Sequence, residues 1–233
     1  MHGHEPFNWV QLIPGLELAP IHLVTSVIVA LTLVVCGLIA TLKLRASGNP
    51  LIPESRLTFR NFFEIIAEKI YGLCESVMGE ESTKNFFPLI GTLFVFIFSC
   101  NLLGLVPGFL PPTDNINVTL AAGLFVFIFY NLHGFKAHGV GYIKHFMGPV
   151  WYLAPLMFVI ELVSHVFRPV SLALRLRGNM MGDHAVLGVF MDLIPYGVPI
   201  IFYVLGLFVS FIQAFVFCLL TMVYINLSTA HDH

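Results

Sequence analysis

The chain has 233 residues, of which 58% are hydrophobic and only 10% charged, with a formal net charge of −2. A soluble domain carries about 25% charged residues, so this composition, with a mean hydropathy of +0.89, excludes a soluble fold and defines an all-α polytopic membrane protein. The charge balance also excludes a nucleic-acid partner.

Residues 1–20 are polar to mixed and end in Pro20. They lack the basic lead of a signal peptide, so the first span is expected to be retained. Ile21 to Leu42 is uncharged and reaches the ~20 residues a spanning helix needs. Residues 43–57 hold Lys43, Arg45, Gly48, Pro50, Pro53 and Arg56 and read as a loop. Over 58–78, apolar positions recur at helical spacing between Arg60, Glu64, Glu68, Lys69 and Glu75. This pattern predicts an amphipathic helix on the membrane surface, with a buried partner helix as the rival.

Phe86 to Val106 is the second span, with Pro88 placed in its first turn. The turn-rich stretch from Pro107 to Asp114 follows, and then a short third span from Asn115 to His133. Residues 134–149, with Lys136, His138, Lys144 and His145, read as another loop. Tyr152 to Asp192 and Ile200 to Ser228 complete the chain as a helical hairpin. As a helix, the 152–192 stretch would reach about 62 Å at ~1.5 Å per residue. The hydrocarbon core is about 30 Å thick. This element must therefore tilt by about 60° or break near Pro169 or Gly178. Steep tilt is expected of it and of its partner.

Six of the eleven basic residues lie in 43–84, which makes that loop cytoplasmic. The N-terminus is then outside, the 134–149 loop inside and the C-terminus inside. The expected architecture is a single membrane domain of five crossing helices and one surface helix, without internal repeats. Cys36, Cys74, Cys100 and Cys218 are scattered through apolar stretches and read as packed free thiols. No metal or cofactor is expected.

The segment from Glu161 to Asn179 places one carboxylate and three arginines in this apolar chain. Each charge costs roughly 2.5–3.5 kcal/mol at a helix centre, about 8–10 kcal/mol for the three arginines together. A sequence that accepts this cost uses the charges. At about 100° per residue, Glu161, Ser164, Arg168, Ser171, Arg175 and Asn179 share a face about 80° wide. Arg177 and His184 lie behind it. Glu161 and Arg168 can satisfy one another as an ion pair. Arg175 has no acid within a turn on its own face, so its partner must come from another helix or another chain. Guanidinium keeps its proton, so it attracts and releases a carboxylate without relaying protons. Glu161, Asp183 and His184 do titrate and suit the proton paths themselves.

The run Arg168-Pro-Val-Ser-Leu-Ala-Leu-Arg175-Leu-Arg-Gly-Asn-Met180 resembles the signature of subunit a of the F-type ATP synthase membrane sector. Resemblance extends to Leu205 to Phe217 and Leu219 to Tyr224 in the last helix, to Asn117-Val-Thr119, and to Arg60-Asn-Phe-Phe-Glu64. It implies a stator subunit, not an enzyme by itself, in a bacterial inner membrane. Its implied partners are the ring of c subunits, the b-subunit peripheral stalk and the remaining ATP synthase subunits. By that resemblance Arg175 is the essential arginine facing the ring carboxylates, with Gln213 near it. Glu161, Ser171, Asn179, Asp183, His184 and Asn117 belong to the proton path through two aqueous half-channels. Three positions depart from the family pattern. Arg177 replaces a usual phenylalanine and is expected to contact Asp183, another helix or lipid headgroups. Gly206 stands where a polar partner of the channel group is common, leaving Asp183 as the acid nearest His184. Thr113-Asp114-Asn115 is shifted by one residue, which argues against an uptake role for Asp114.

Other readings fit less well. A secondary transporter often shows paired repeats, and none is found. A haem protein needs histidines at matched depth on two spans, and no convincing pair occurs. An intramembrane protease needs a nucleophile beside its base, but Ser164 and His165 point about 100° apart on a helix.

Overall fold

The computed structural model describes residues 9, 20–46, 59–139, 152, 154–193 and 197–229. Most of the N-terminal segment, the basic loop over 47–58, the second loop over 140–151 and the terminal histidines lie outside the described residues. The regular structure among the described residues is helical, and five of the helices are long and apolar enough to cross a membrane. The chain divides into two compact units, Met1–Pro112 and Thr113–His233.

The first unit holds α1 (Ile21–Ala46), α2 (Phe59–Met78) and α3 (Glu80–Leu103). Helix α2 packs on α3 through a stripe at helical spacing, Ile70, Cys74 and Met78, all buried. Against it stand Phe86, Ile90, Leu93, Phe94 and Ile97 of α3. Gly79 separates the two helices at φ 79°, a backbone region that L side chains avoid. Helix α1 buries little more than Val24, Thr25 and Val29, while Val27, Leu31, Val34, Leu38 and Leu42 are exposed. Such a surface is stable only against lipid or another chain.

Helix α3 starts six residues earlier than its apolar pattern predicts. Glu80 and Glu81 favour the positive end of the helix, and Lys84 pairs with Glu80 at 2.7 Å. Pro88 therefore lies inside the helix rather than in its first turn. The neighbouring Thr92 hydroxyl donates to the Pro88 carbonyl at 2.6 Å.

In the second unit, a short 3-10 turn at Pro112–Asp114 leads into α4 (Ile116–His138). Asn115 caps α4, its side-chain oxygen accepting from the Asn117 N–H at 2.9 Å. Then come α5 (Ala154–Leu193) and α6 (Val198–Thr229). Each of these three helices packs against the other two. Tyr130, Leu172, Ala173, Leu176, Met180, Ala214, Phe217, Met222 and Ile225 form their core. Helix α4 runs five residues past the predicted end because Gly134 to His138 continue the helix up to Gly139. Helix α5 runs unbroken through both Pro169 and Gly178.

Helices α4 and α5 approach closely at Gly123. A methyl group there would stand 2.7 Å from the Pro169 carbonyl oxygen. Gly123→Ala is expected to cost about 1–3 kcal/mol by overpacking. Thermal unfolding of the purified subunit in detergent, against Gly91→Ala with its looser 3.8 Å surroundings, checks this.

Candidate functional site

The outward face of α5 carries the polar groups foreseen in the sequence, and the opposite face builds the core. Leu172, Ala173, Leu176 and Met180 are buried, whereas Ser164, Ser171, Arg175 and Asn179 are exposed. The helical period thus sorts one segment into an apolar wall and a polar stripe.

Three arginines share this helix and end in three different environments. The Arg168 guanidinium is 3.5 Å from the Glu161 carboxylate, and both are partly exposed. It also stands over the Tyr224 ring of α6, 5.3 Å from the centroid. Arg177 points the other way and donates from Nε to the Asp114 backbone carbonyl at 3.1 Å. Its partner is the turn before α4, not Asp183. Arg175, between them, makes no ion pair or hydrogen bond among the described residues.

One turn beyond Arg175, Asn179 donates from Nδ2 to Oε1 of Gln213 at 2.6 Å. Gln213 is 3% exposed, so this bond joins α5 to α6 at the edge of the core. Asn179, Asp183 and Gln213 line an open groove of about 500 Å³ between these helices, with Gly178 and Gly182 as small residues on its wall. His184 lies within electrostatic reach of Asp183 and also of Asp114. Asn117 is exposed in the first turn of α4 and is not brought to the α5 stripe. Glu161 and Ser171 lie on the stripe itself. The geometry therefore gathers Asn179, Asp183 and Gln213 at one groove, and Asp114, Arg177 and His184 behind it.

Two groups escaped the sequence reading. The turn that carries Asp114 is held through its backbone carbonyl by Arg177. His165, 6% exposed, bonds Asn131 of α4 at 2.8 Å. An asparagine near the end of an apolar span was the available signal for that pair. Among the described residues no three His, Cys, Asp or Glu side chains converge as metal ligands.

Five helices long and apolar enough to cross a membrane define a multi-pass membrane protein. Residues 8–226 match the profile of the family described as ATP synthase A chain. The chain is 50% identical over 228 residues to ATP synthase subunit a of Bdellovibrio bacteriovorus, covering 97% of this chain and 99% of that one. It is 48% identical over 205 residues to ATP synthase subunit a of Trichlorobacter lovleyi, covering 88% and 85%. ATP synthase subunit a 3 of Pelobacter propionicus is 44% identical over 231 residues, with 98% and 99% covered. The chain belongs to the ATP synthase A chain family. It is a non-catalytic membrane-sector subunit, and other ATP synthase subunits are its partners.

The Asn179–Gln213 bond is expected to couple α5 and α6 by about 1 kcal/mol. A double-mutant cycle with Asn179→Leu and Gln213→Leu, read by thermal unfolding in detergent, measures it. Additive losses would show that the bond contributes nothing.

Proposed function

We propose that this subunit is the proton-conducting stator of the rotary membrane sector, with Arg175 as its gate. The observation that carries the reading is the isolation of Arg175: a permanent cation on an exposed face of an apolar chain, with no acid of its own among the described residues. Such a charge is stabilised when a carboxylate from a neighbouring subunit passes it. The c-subunit ring supplies that carboxylate in this reading.

Helix α5 contributes an apolar span of 37 residues, Pro155–Met191, and α6 one of 31, Val198–Ser228. At ~1.5 Å per residue both exceed the ~30 Å hydrocarbon core, so both tilt steeply. Tilted helices keep a long stripe beside the ring. Two water-filled paths approach Arg175 along it. One starts from Asn117 and His184, behind the stripe, and reaches Arg175 past Asp183, Asn179 and Gln213. The other uses Ser171 and Glu161. A proton neutralises the ring carboxylate from one path, the ring turns, and the proton leaves by the other. Arg175 prevents a direct short circuit, because guanidinium holds its proton in any protein environment. Each proton crossing 100 mV supplies about 2.3 kcal/mol, which the rotation carries to ATP formation elsewhere in the complex.

In this reading α2 lies on the cytoplasmic surface of a bacterial inner membrane. The N-terminus is outside, the C-terminus inside, and the b-subunit stalk is a further partner.

Arg175→Ala in inverted membrane vesicles is expected to abolish proton-driven ATP synthesis while the subunit remains inserted and assembled. Normal coupled synthesis would remove the gate. Arg177→Phe is expected to keep substantial coupling, since this side chain bonds the turn behind the stripe. A loss equal to that of Arg175→Ala would show the two faces wrongly assigned.

A further inference from the structure

Helix α5 crosses a weak point of its own. Pro169 has no N–H to give to the carbonyl four residues earlier, which is that of His165, so the backbone ladder skips a rung there. Proline is one of the few features at which helices kink by more than about 20°. A 20° swing at Pro169 would carry Arg175, about 9 Å further along, sideways by about 3 Å. A misplacement of about 1 Å can cost ~100-fold where reacting groups must be held in position. The Glu161–Arg168 pair lies before this point and Arg175 with Asn179 lies beyond it.

Helix α4 touches α5 on both sides of the gap. Gly123 brings its backbone against the Pro169 carbonyl, at a distance that leaves no room for a Cβ. Two turns further along α4, the Asn131 side chain accepts from His165 at 2.8 Å. The direction of that bond follows from its neighbour. Asn131 Nδ2 donates to the Phe127 carbonyl at 2.7 Å, so Oδ1 faces α5 and His165 Nε2 carries the hydrogen. Tyr130, fully buried, stands 3.5 Å from the same nitrogen and packs edge-on against the imidazole. His165 lies off the α5 stripe and has no part in the paths described above.

We propose that α4 is a splint across Pro169, with His165, Asn131 and Gly123 as positioning residues that keep the two halves of α5 in one alignment. The functional half of this claim rests on the Arg175 reading. The splint itself does not.

The test places nitroxide labels at Leu162→Cys and Leu174→Cys, exposed positions on either side of the proline, in the assembled complex. Cys36 is replaced by serine, the other three cysteines being buried. The pair Asn131→Leu with His165→Leu removes both bonding partners together and leaves neither orphaned. The double variant is expected to assemble, to broaden the label–label distance distribution, and to lower ATP synthesis about tenfold or more. Adding Pro169→Ala restores the missing N–H, and is expected to narrow the distribution and recover synthesis. His165→Gln, which keeps a donor, stays close to the parent protein in both readouts. An unchanged distribution in the double variant overturns the splint, and full synthesis with a broadened one overturns its positioning role. Should the double variant not assemble, rescue of assembly by Pro169→Ala supports the splint, and failure of that rescue overturns it. Loss of the gate reading would show separately, in Arg175→Ala alone.

Discussion

An arginine in an apolar medium must find a counter-charge, and the second unit of this protein is organised around where each one finds it. The cost of leaving a cation unserved at a helix centre is roughly 2.5–3.5 kcal/mol. Helix α5 answers that demand in three ways within ten residues. Arg168 takes a carboxylate two turns back and an aromatic ring from α6. Arg177 takes a backbone carbonyl from the turn before α4. Arg175 takes nothing from the described residues of its own chain. The first two are satisfied locally and can be structural. In the proposed reading the third acquires its partner on assembly, and this asymmetry would distinguish a working charge from a packed one.

The core behind the stripe makes that exposure tolerable. Leu172, Ala173, Leu176 and Met180 are buried on the far side of α5, as are Phe217 and Met222 of α6, which packs against it. In lipid, van der Waals packing rather than exclusion of water holds such helices together, and close packing fixes their rotamers. Where the core meets the stripe, the Asn179–Gln213 bond closes the seam between α5 and α6. A polar bond at a core edge fixes register more than it stabilises, because its net worth is only about 1 kcal/mol.

Much of this was legible in the sequence because spans announce themselves by composition and a helix sorts its faces by a fixed period. The five spans, the amphipathic α2, the α5 stripe and the opposite pointing of Arg177 all follow from those two rules. What was not legible depends on contact between elements. The early start of α3 rests on a Glu80–Lys84 pair and a glycine turn, features outside the apolar window that defines a span. Asn131 and His165 are 34 residues apart, and nothing in either local pattern states that they meet. The bond from Arg177 to the Asp114 backbone carbonyl joins residues 63 apart, and spacing along the chain does not state it either.

That reach bears on why two arginines can stand two residues apart on this helix. Residues i and i+2 point about 200° apart, so Arg175 and Arg177 cannot serve one site. In the proposed reading, a second unpaired cation beside Arg175 would compete for the same passing acid and deepen the electrostatic well that the acid must leave; Arg168, on the same face, is paired with Glu161. Turned behind the stripe, Arg177 instead holds a turn that carries Asp114 within electrostatic reach of His184. The charge is thereby spent on the fold of the unit's rear face. The front face keeps Arg168, which Glu161 already serves, and Arg175, the cation that in the proposed reading attracts and releases a passing carboxylate.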